Sequence, residues 1–359
     1  MIRTWLRERL PKGWLRGRAR PVSETVDVVI PVYRGMEETR TCIESVLASR
    51  GRHPLQPLVV DDASPEPNLS AWLRGLAEAG HVALITHAEN RGFVASVNEG
   101  MALHRDRDVV LLNSDTEVAP GWLDRLVACA RRDAAIGTIT PFSTTATICS
   151  YPRIHHSNPL PPGETTATLD ADFSTANAGR SADIPTAVGF CMYITRHCLD
   201  RVGLFDYERY GKGYGEEVDF CMRAGRLGFR NVIAADVFVR HIGEISFQDA
   251  GFERRQKAQA LVDSLYPEFQ QKLREFIPGD PLRVLRRRAD LQRLRRSPRS
   301  LTIEQAGNRV KLGWARAGEE FALWLDPARD GAALAAIQRF LTDPVAPLPE
   351  IDARWLAGP

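Results

Sequence analysis

The chain has 359 residues, of which 44% are hydrophobic and 26% charged, and its formal net charge is +2. This composition allows a buried core and excludes a chain that is disordered throughout. The near-balance of charge excludes an overall attraction to nucleic acid. No apolar run reaches the roughly 18 residues that a membrane span needs, and no apolar signal core is found, which predicts a cytoplasmic protein. The six cysteines are scattered without a CxxC pair, which favours reduced thiols.

Two segments concentrate positive charge. Residues 1–20 hold seven basic residues against Glu8, with tryptophan and leucine interleaved, and residues 283–299 hold eight arginines against Asp290. Such blocks suggest contact with anionic surfaces. The first segment could lie peripherally on the anionic inner face of a cell membrane, or form a solvated or partner-binding tail. Nucleic-acid binding is not predicted, because the arginine runs lack an aromatic-rich binding sheet or a recognisable motif.

Strands and helices are predicted to alternate four times over about 110 residues. Four apolar runs are predicted to be strands: 26–33, 57–64, 81–89 and 108–115. A helical pattern follows each of them, at 36–49, 68–79, 90–104 and 121–132. This alternation predicts an α/β fold with a mostly parallel sheet and helices on both faces.

The rest of the chain changes character. Residues 141–185 are rich in Thr, Ser, Pro and Asp, which predicts a long, partly irregular segment that shapes a cleft. Beyond it we predict a strand at 187–196, a helix at 215–228 and a strand pair over 229–243. The predicted units are a basic amphipathic segment (1–25), the main α/β domain (26–249), a basic helical extension (250–299) and a small α+β accessory region or remnant of a second domain (300–359).

Acidic residues stand at the ends of the predicted strands. Asp61 and Asp62 end one strand and Asp115 ends another, so Asp62 and Asp115 are expected to meet at the carboxyl edge of the sheet. One carboxylate plus the imidazole of His241, with open positions for phosphate and water, would suit Mn²⁺ or Mg²⁺ bridging a diphosphate. A further carboxylate could act as a general base on a hydroxyl.

Each of these features also has a structural explanation. The paired aspartates before Ala-Ser-Pro are typical of a turn or helix cap. Asp219 precedes Arg223 by four residues, which favours an ion pair along the helix. Glu216 and Glu217 could complement the dipole at a helix start. The order of the features along the chain is therefore more informative than any one of them.

That order resembles one family. The matching pieces, over about Val26–Phe247, are VVIPVY, VVDDAS, ENRGFVASVNEG, LLNSDTEVAPGWL, VGFCMYITR, GLFDYERYGKGYGEEVDFCMR and RHIGEISF. Together they resemble the nucleotide-sugar glycosyltransferases of family 2, including bacterial polysaccharide and rhamnosyltransferase types. The resemblance implies the GT-A fold, which has a Rossmann-like α/β sheet.

The resemblance also implies a donor site. Five residues would hold the nucleotide base and ribose: Pro31, Val32, Tyr33, Asp61 and Asp62. Arg91 would lie near the nucleotide. The family's DxD-type motif falls on Asn113, Ser114 and Asp115, so that Asn113 replaces the first Asp and Asp115 is left as the main metal carboxylate. His241 matches a late metal-ligand histidine, and the implied ion is Mn²⁺ or Mg²⁺.

The family's general base falls on Glu216 and Glu217, where Glu217 replaces the usual Asp and would take the proton. The implied reaction is a single displacement with inversion. Its donor would be a nucleoside-diphosphate sugar, with UDP or dTDP favoured, and its acceptor a hydroxyl of a glycan or lipid-linked carrier. This transfer would serve bacterial surface polysaccharide synthesis. Glu117 is expected to be a turn or outer-shell residue.

Two other functions stay open at this point. The departures at Asn113 and Glu217 would also suit a catalytically degenerate binding module of the same fold. A sugar-phosphate nucleotidyltransferase also uses an α/β sheet and Mg²⁺, but no Gly-rich phosphate loop with an adjoining Arg or Lys follows the first strand.

Overall fold

The structure is a computed structural model that describes residues 23–243, 251–296, 301–316 and 319–357. The predicted basic segment at residues 1–20 lies outside these ranges. Within them, no helix is both long and apolar enough to cross a membrane. All six cysteines are buried and free, which agrees with the expectation of reduced thiols.

The strands form three sheets. They are β1 (Val26–Val32), β2 (Leu55–Asp61), β3 (Ala83–Thr86), β4 (Val109–Leu112), β5 (Thr116–Glu117), β6 (Ile136–Phe142), β7 (Ser181–Asp183), β8 (Cys191–Ile194), β9 (Arg230–Phe238), β10 (Arg240–His241), β11 (Leu301–Ala306), β12 (Arg309–Arg316) and β13 (Glu319–Leu325). The central sheet has eight strands in the order β3-β2-β1-β4-β8-β6-β9-β7. Strands β5 and β10 form a separate two-stranded pair, and β11-β12-β13 form a small antiparallel sheet.

The helices lie between these strands and after them. They are α1 (Met36–Ala48), α2 (Pro67–Glu78), α3 (Phe93–Leu103), α4 (Trp122–Ala130), α5 (Thr166–Ala176), α6 (Arg196–Val202), α7 (Tyr207–Tyr210), α8 (Glu216–Arg226), α9 (Gly251–Leu265), α10 (Pro267–Gly279), α11 (Arg283–Arg296) and α12 (Pro327–Thr342). Short 3₁₀ turns occur at Thr147–Cys149 and Ala353–Leu356.

Both faces of the central sheet are covered. In β1, Val28 and Ile30 belong to one apolar cluster, with side chains of α1, α2 and α4, while Val29 belongs to another, with side chains of α3 and α8. A strand buried on both faces is apolar at nearly every position, as the sequence of β1 shows. The α/β fold with a mostly parallel sheet and helices on both faces is thus confirmed, although β8 and β7 run antiparallel to their neighbours.

The chain between residues 136 and 185 is more regular than the sequence predicts, since it contains β6, α5 and β7. Strand β6 runs parallel to β9 near the centre of the sheet and was missed in the sequence. Its Thr138 and Thr140 are fully buried, and both hydroxyl groups are hydrogen-bonded. Thr138 donates to Asn231 (2.8 Å), and Thr140 accepts from Val188 N–H (3.0 Å). A buried strand that contains hydrogen-bonded polar side chains is not recognised by a search for hydrophobic residues.

The arginine cluster of α11 is largely internal. Arg286, Arg288 and Arg293 are 4%, 6% and 1% exposed. Arg288 donates a hydrogen bond to the carbonyl oxygen of Ala176 (2.9 Å), at the end of α5. For these buried arginines the expected contact with an anionic surface is wrong, because acids and carbonyl groups of the same chain occupy them. The residues of the cluster after Arg296 lie outside the described ranges.

The small sheet has its own apolar core. Leu312, Leu323 and Leu325 of β12 and β13 pack with Ile337 and Phe340 of α12. Leucines of α11 belong to the same cluster, so this helix joins the small sheet to the central domain.

Candidate active site

The carboxyl ends of neighbouring parallel strands meet at one edge of the central sheet. Strand β1 is parallel to both β2 and β4, so the three strands end on the same side. Pro31 and Val32 are the last residues of β1, Tyr33 follows them, and Val32 is the register partner of Asp61. Strand β4 is followed directly by Asn113. The predicted nucleotide and metal residues therefore start from the same edge.

The carboxylate of Asp62 organises the loop before α3. Its oxygens accept hydrogen bonds from the N–H groups of Arg91 (2.7 Å) and Gly92 (2.7 Å) and from the Asn90 amide (3.1 Å). His87 Nδ1 lies 2.7 Å from Asp62 Oδ1. Asp62 is 4% exposed, and its charged carboxylate stabilises the backbone of this loop.

Asp61 and Arg91 also have partners within the chain. Asp61 accepts hydrogen bonds from the Ser64 N–H (2.8 Å) and the Ser70 hydroxyl (2.6 Å), which agrees with the turn-and-cap explanation of this residue. Arg91 Nη1 lies 3.2 Å from Glu99 Oε2, and the Arg91 side chain is 49% exposed. The Arg91 guanidinium therefore lies at the surface of the edge, where solvent and small molecules can reach it.

The loop before α3 packs against the loop before α8. Gly92 has a φ of +87°, and a Cβ at this position would lie 2.5 Å from the Cα of Lys212. The Phe93 N–H donates to the Lys212 carbonyl oxygen (3.1 Å), and Lys212 Nζ donates to Asn90 Oδ1 (2.8 Å). Glycine is thus required at position 92 for both its backbone angle and the close approach. This contact ties the loop of Arg91 to the segment that leads into α8.

Asp115 and His241 are brought together by the two-residue pairing of β5 with β10. Thr116 is the register partner of His241 in this antiparallel pair. Asp115 Oδ1 lies 3.3 Å from His241 Nε2, and the Asn113 amide nitrogen lies 3.4 Å from the same Nε2. Asp115 Oδ2 accepts a hydrogen bond from Gly243 N–H (3.0 Å). The structure thus joins the two predicted metal ligands, Asp115 and His241.

A backbone carbonyl group fixes the orientation of the His241 ring. Its Nδ1 lies 2.6 Å from the carbonyl oxygen of Thr145, so Nδ1 carries the proton and donates it, and Nε2 faces Asp115. Burial opposes the charged form of His241, but the hydrogen bond and charge of Asp115 raise its pKa. Burial likewise opposes ionisation of Asp115, but hydrogen bonds from His241 and Gly243 lower its pKa. Without a metal, the two groups form an ion pair.

The same donor atoms fit a divalent cation. A carboxylate oxygen and an imidazole nitrogen are ligands of Mn²⁺, and a histidine ligand commonly donates its other N–H to a carbonyl, as His241 does. Two adjacent ligands of an octahedral ion are about 3 Å apart, close to the 3.3 Å found here. Within the described ranges no three His, Cys, Asp or Glu side chains cluster to hold an ion, so phosphate and water would complete the shell. Ser114, between Asn113 and Asp115, is buried.

Two glutamates begin helix α8. Gly215 precedes them with a φ of +84°, and Glu216 and Glu217 are the first two helical residues. Glu216 is 5% exposed, and among the described residues its Oε2 has no hydrogen-bond partner. Burial, and then the charge of Glu217, raise the pKa of Glu216 well above its usual range, and burial raises the pKa of Glu217. Carboxyl groups with raised pKa values are suited to proton transfer near neutral pH.

A chain of contacts connects α8 with the Asp115–His241 pair through the segment before β8. Cys221, one turn after Glu217, accepts a hydrogen bond from the Ala187 N–H (3.3 Å). Three residues further on, Phe190 stacks on the ring of His241, with centroids 5.1 Å apart. The segment that leads into β8 therefore contacts α8 at one end and His241 at the other.

Two other acids near the edge have structural partners. Glu117 accepts a hydrogen bond from the Thr166 hydroxyl (2.5 Å) and lies 3.4 Å from the Arg240 guanidinium. Arg223 Nε lies 2.7 Å from Asp219 Oδ2, which confirms the ion pair along the helix. Both acids therefore have partners within the chain.

Sequence reasoning missed the residues that support His241. Thr144 and Thr145 hold its backbone and ring, and Phe190 covers the ring. The only signal in the sequence was the Thr- and Ser-rich composition after β6, which predicted a cleft-shaping segment without indicating which residues it would contact.

Comparison with known proteins relates part of the chain to a family. Residues 27–202 match the sequence model described as Glycosyl transferase family 2. For this part of the chain, the match confirms the resemblance found in the sequence.

Three curated proteins are similar to the chain. The protein y4gI of Sinorhizobium fredii is 25% identical over 224 residues, which are 58% of this chain and 23% of y4gI. The glycosyltransferase YibD of Escherichia coli is 26% identical over 108 residues, which are 30% of this chain and 31% of YibD. Mb1552 of Mycobacterium bovis is 23% identical over 220 residues, or 60% of this chain and 73% of Mb1552. The chain thus matches less than a third of the length of the first two.

A solved structure has the same fold. The crystal structure of GalNAc-T7 with UDP, GalNAc and Mn²⁺ superposes with a TM-score of 0.51 and 16% identity, over 85% of this chain and 67% of that one. At this identity the likeness supports the GT-A fold alone.

Proposed function

We propose that the chain is an inverting, divalent-metal-dependent glycosyltransferase. It would move a hexosyl or rhamnosyl group from a nucleoside-diphosphate sugar to a hydroxyl of a glycan or lipid-linked acceptor, in bacterial surface polysaccharide synthesis. The observation that carries this proposal is the pairing of Asp115 with His241 (3.3 Å) at the carboxyl edge of the sheet. Helix α8 begins with the buried Glu216 and the half-buried Glu217. The segment before β8 connects this helix with His241.

The proposed metal site consists of Asp115 and the Nε2 atom of His241, with Asn113 beside them. Mn²⁺ or Mg²⁺ held there would supply positive charge to offset the charge that develops on the leaving diphosphate. The chain's own contribution is to fix both ligands in advance, through the Thr145 carbonyl behind His241 and the Gly243 N–H on Asp115.

The proposed nucleotide site is formed by the loops after β1 and β2 and by the loop before α3. Pro31, Val32 and Tyr33 would line it from the end of β1. Because Asp61 and Asp62 already accept several hydrogen bonds, we propose that they act mainly by holding these loops in place. The exposed guanidinium of Arg91 would contact the nucleotide.

The proposed general base is Glu217. Glu216 is the more buried of the two glutamates, and the charge of Glu217 helps to raise the pKa of Glu216. A pair of this kind favours a protonated Glu216 beside an ionised Glu217. Glu217 would then accept the proton of the acceptor hydroxyl. The hydroxyl oxygen would bond to the anomeric carbon as the bond to the diphosphate breaks on the opposite face, which gives inversion.

Nucleotide binding tests this proposal most directly. The melting temperature of the full chain would be measured with UDP, dTDP, GDP and CDP, each with and without Mn²⁺. A ligand that binds only the folded state raises the melting temperature by mass action. We expect a Mn²⁺-dependent increase with one nucleotide, and we expect it to be lost in Asp115→Ala. If no nucleotide has an effect, the transferase proposal fails, and a degenerate binding module of the same fold becomes the better explanation.

We also propose the unit boundaries expected from the sequence, with residues 26–249 as the transferase domain, 250–299 as a helical extension and 300–359 as an accessory region. The separate apolar core of the small sheet supports the last of these. The proposal assigns no catalysis to the accessory region.

A further inference from the structure

The backbone of His241 is clamped by the loop after β6. The Thr144 hydroxyl donates to the His241 carbonyl oxygen (2.7 Å) and accepts from the His241 N–H (3.0 Å). The next residue, Thr145, supplies the carbonyl oxygen that binds the ring Nδ1 (2.6 Å). The position and the tautomer of His241 therefore both depend on where residues 144–145 lie.

Residues 143–158, called here the 143–158 loop, are held by internal hydrogen bonds. Tyr151 N–H donates to the Ser143 carbonyl oxygen (2.8 Å), directly before Thr144. The N–H and the side-chain amide of Asn158 both donate to the Thr144 carbonyl oxygen (3.1 and 3.0 Å). Ser143, Thr144, Tyr151 and Asn158 are all at most 4% exposed. A displacement of Tyr151 would therefore be transmitted to Thr144.

Tyr151 is anchored from outside the loop, by helix α11. Its hydroxyl donates to Asp290 Oδ1 (2.6 Å) and accepts from Arg293 Nη1 (2.7 Å). Both α11 residues are 1% exposed. The Tyr151 ring packs edge-on against Phe173, with centroids 4.9 Å apart. Two buried charged groups thus converge on one hydroxyl of the loop, and this polar cluster specifies one position for the ring.

We propose that Tyr151, held by Asp290 and Arg293 of α11, is a positioning residue for His241 and that the arginine-rich helix thereby tunes the metal affinity of the site. The path runs from α11 through Tyr151 and Thr144 to His241. Outer-shell partners of a metal-ligand histidine commonly change metal affinity by 10–100-fold. This inference rests on the proposed function, because it assumes that Asp115 and His241 bind the ion.

An alternative is that the contacts of Tyr151 with Asp290 and Arg293 only stabilise the packing of α11. Two matched variants separate the explanations. Tyr151→Phe removes the hydroxyl that meets α11. Tyr193→Phe removes another buried tyrosine hydroxyl that donates to a carboxylate, Asp108 (2.5 Å), but Tyr193 lies in β8 beside the start of β4, at the opposite edge of the sheet. Asp290→Asn provides a second variant of the cluster in case Tyr151→Phe does not fold.

The measurement is the apparent Mn²⁺ affinity of each full-length variant, obtained from the enhancement of water proton relaxation in a mixture of UDP, dTDP, GDP and CDP. We expect Tyr151→Phe to weaken Mn²⁺ binding by about tenfold, with recovery at saturating Mn²⁺, and Tyr193→Phe to stay within about twofold of the native chain. Hydrogen exchange should be faster in the 143–158 loop of Tyr151→Phe and unchanged there in Tyr193→Phe.

Each outcome decides the question. If native protein binds Mn²⁺ and Tyr151→Phe binds it equally well, the positioning role is overturned and the proposed function stands. If both tyrosine variants weaken Mn²⁺ binding equally, the effect is general destabilisation and the positioning role is again overturned. If the native chain does not bind Mn²⁺ with any of the nucleotides, the proposed metal site fails, and the inference fails with it.

Discussion

The His241 imidazole and the Asp115 carboxylate face each other at 3.3 Å, each held by backbone groups on its far side. The Thr145 carbonyl oxygen fixes Nδ1 of the ring, and the Gly243 N–H fixes Oδ2 of the carboxylate. The two facing atoms are therefore positioned without help from a ligand. Preorganisation of this kind lowers the cost of binding an ion.

Removing the Asp115 charge should weaken metal-dependent nucleotide binding. In Asp115→Asn we expect the apparent Mn²⁺ affinity to fall by at least about tenfold, because His241 would be the only strong ligand left in the pair. Thermal shift with nucleotide and Mn²⁺ measures the effect. Glu117→Gln, two residues away, is the control, since Glu117 is occupied by Thr166 and Arg240. Unaltered Mn²⁺ binding in Asp115→Asn would contradict the assigned site.

Replacing Glu216 should stabilise the protein at alkaline pH. The pKa of Glu216 is raised well above its ordinary value of 4.5, mainly by burial, so the folded chain holds this proton more tightly than the unfolded chain. Stability is then lost as pH rises above the ordinary pKa, until the folded-state pKa is passed. Glutamine avoids this loss. Glu216→Gln should therefore raise the free energy of unfolding at about pH 8, and the gain should shrink towards about pH 4.5.

Urea unfolding at several pH values checks this prediction. The exposed Glu89 provides the control variant Glu89→Gln, which should show no comparable gain. If Glu216→Gln is equally or less stable than the native chain at about pH 8, the raised pKa of Glu216 does not reduce the stability of the folded chain.

Gly92 should tolerate no side chain. Gly92→Ala forces a residue with a Cβ into a φ of +87° and into contact with the Lys212 backbone at 2.5 Å. We expect a loss of about 2–4 kcal/mol of unfolding free energy together with weaker nucleotide binding. Gly163→Ala is the matched control, because Gly163 has a φ of +80° but open space around its Cβ position. It should lose only about 1 kcal/mol, and equal losses in the two variants would rule out the packing argument.

The junction between α11 and α5 should depend on Arg296. Its guanidinium bonds both oxygens of Asp172, which is 2% exposed, and also reaches Glu164. Arg296→Met leaves a buried carboxylate without its main partner, and we expect a loss of about 1–3 kcal/mol in urea unfolding. Arg354→Met, at an exposed pair with Asp352, should leave the midpoint near its native value. Should both variants unfold at the native midpoint, the junction does not rely on this pair.

The parallel half of the sheet was predictable because its pattern is local. Strands β1, β2 and β4 are short apolar runs, and each is followed by a polar turn and an amphipathic helix. Burial on both faces makes such runs uniformly apolar, so periodicity and length suffice to find them. The acids that follow these strands reach one edge because the strands are parallel neighbours.

The supporting contacts of the site were not predictable in the same way. Strands β5 and β10 are two residues long each, below the length at which any alternation shows, and β6 contains Gly137 and buried threonines. The Thr145 contact uses a backbone carbonyl, which every residue type carries. The arginines of α11 resembled a surface charge run because two of their acidic partners, Asp172 and Glu164, are more than 100 residues away.

The pairing of β5 with β10 has a consequence for the order of assembly. The Gly243 N–H and the Asp115 carboxylate are separated by 128 residues along the chain. Closing so large a loop has an entropic cost that local contacts do not offset, so such pairings tend to form late in folding. The sheet can therefore form before its functional edge does. Competence to bind a ligand between Asp115 and His241 would then appear only after the bulk of the secondary structure, once the segment around Gly243 has reached Asp115.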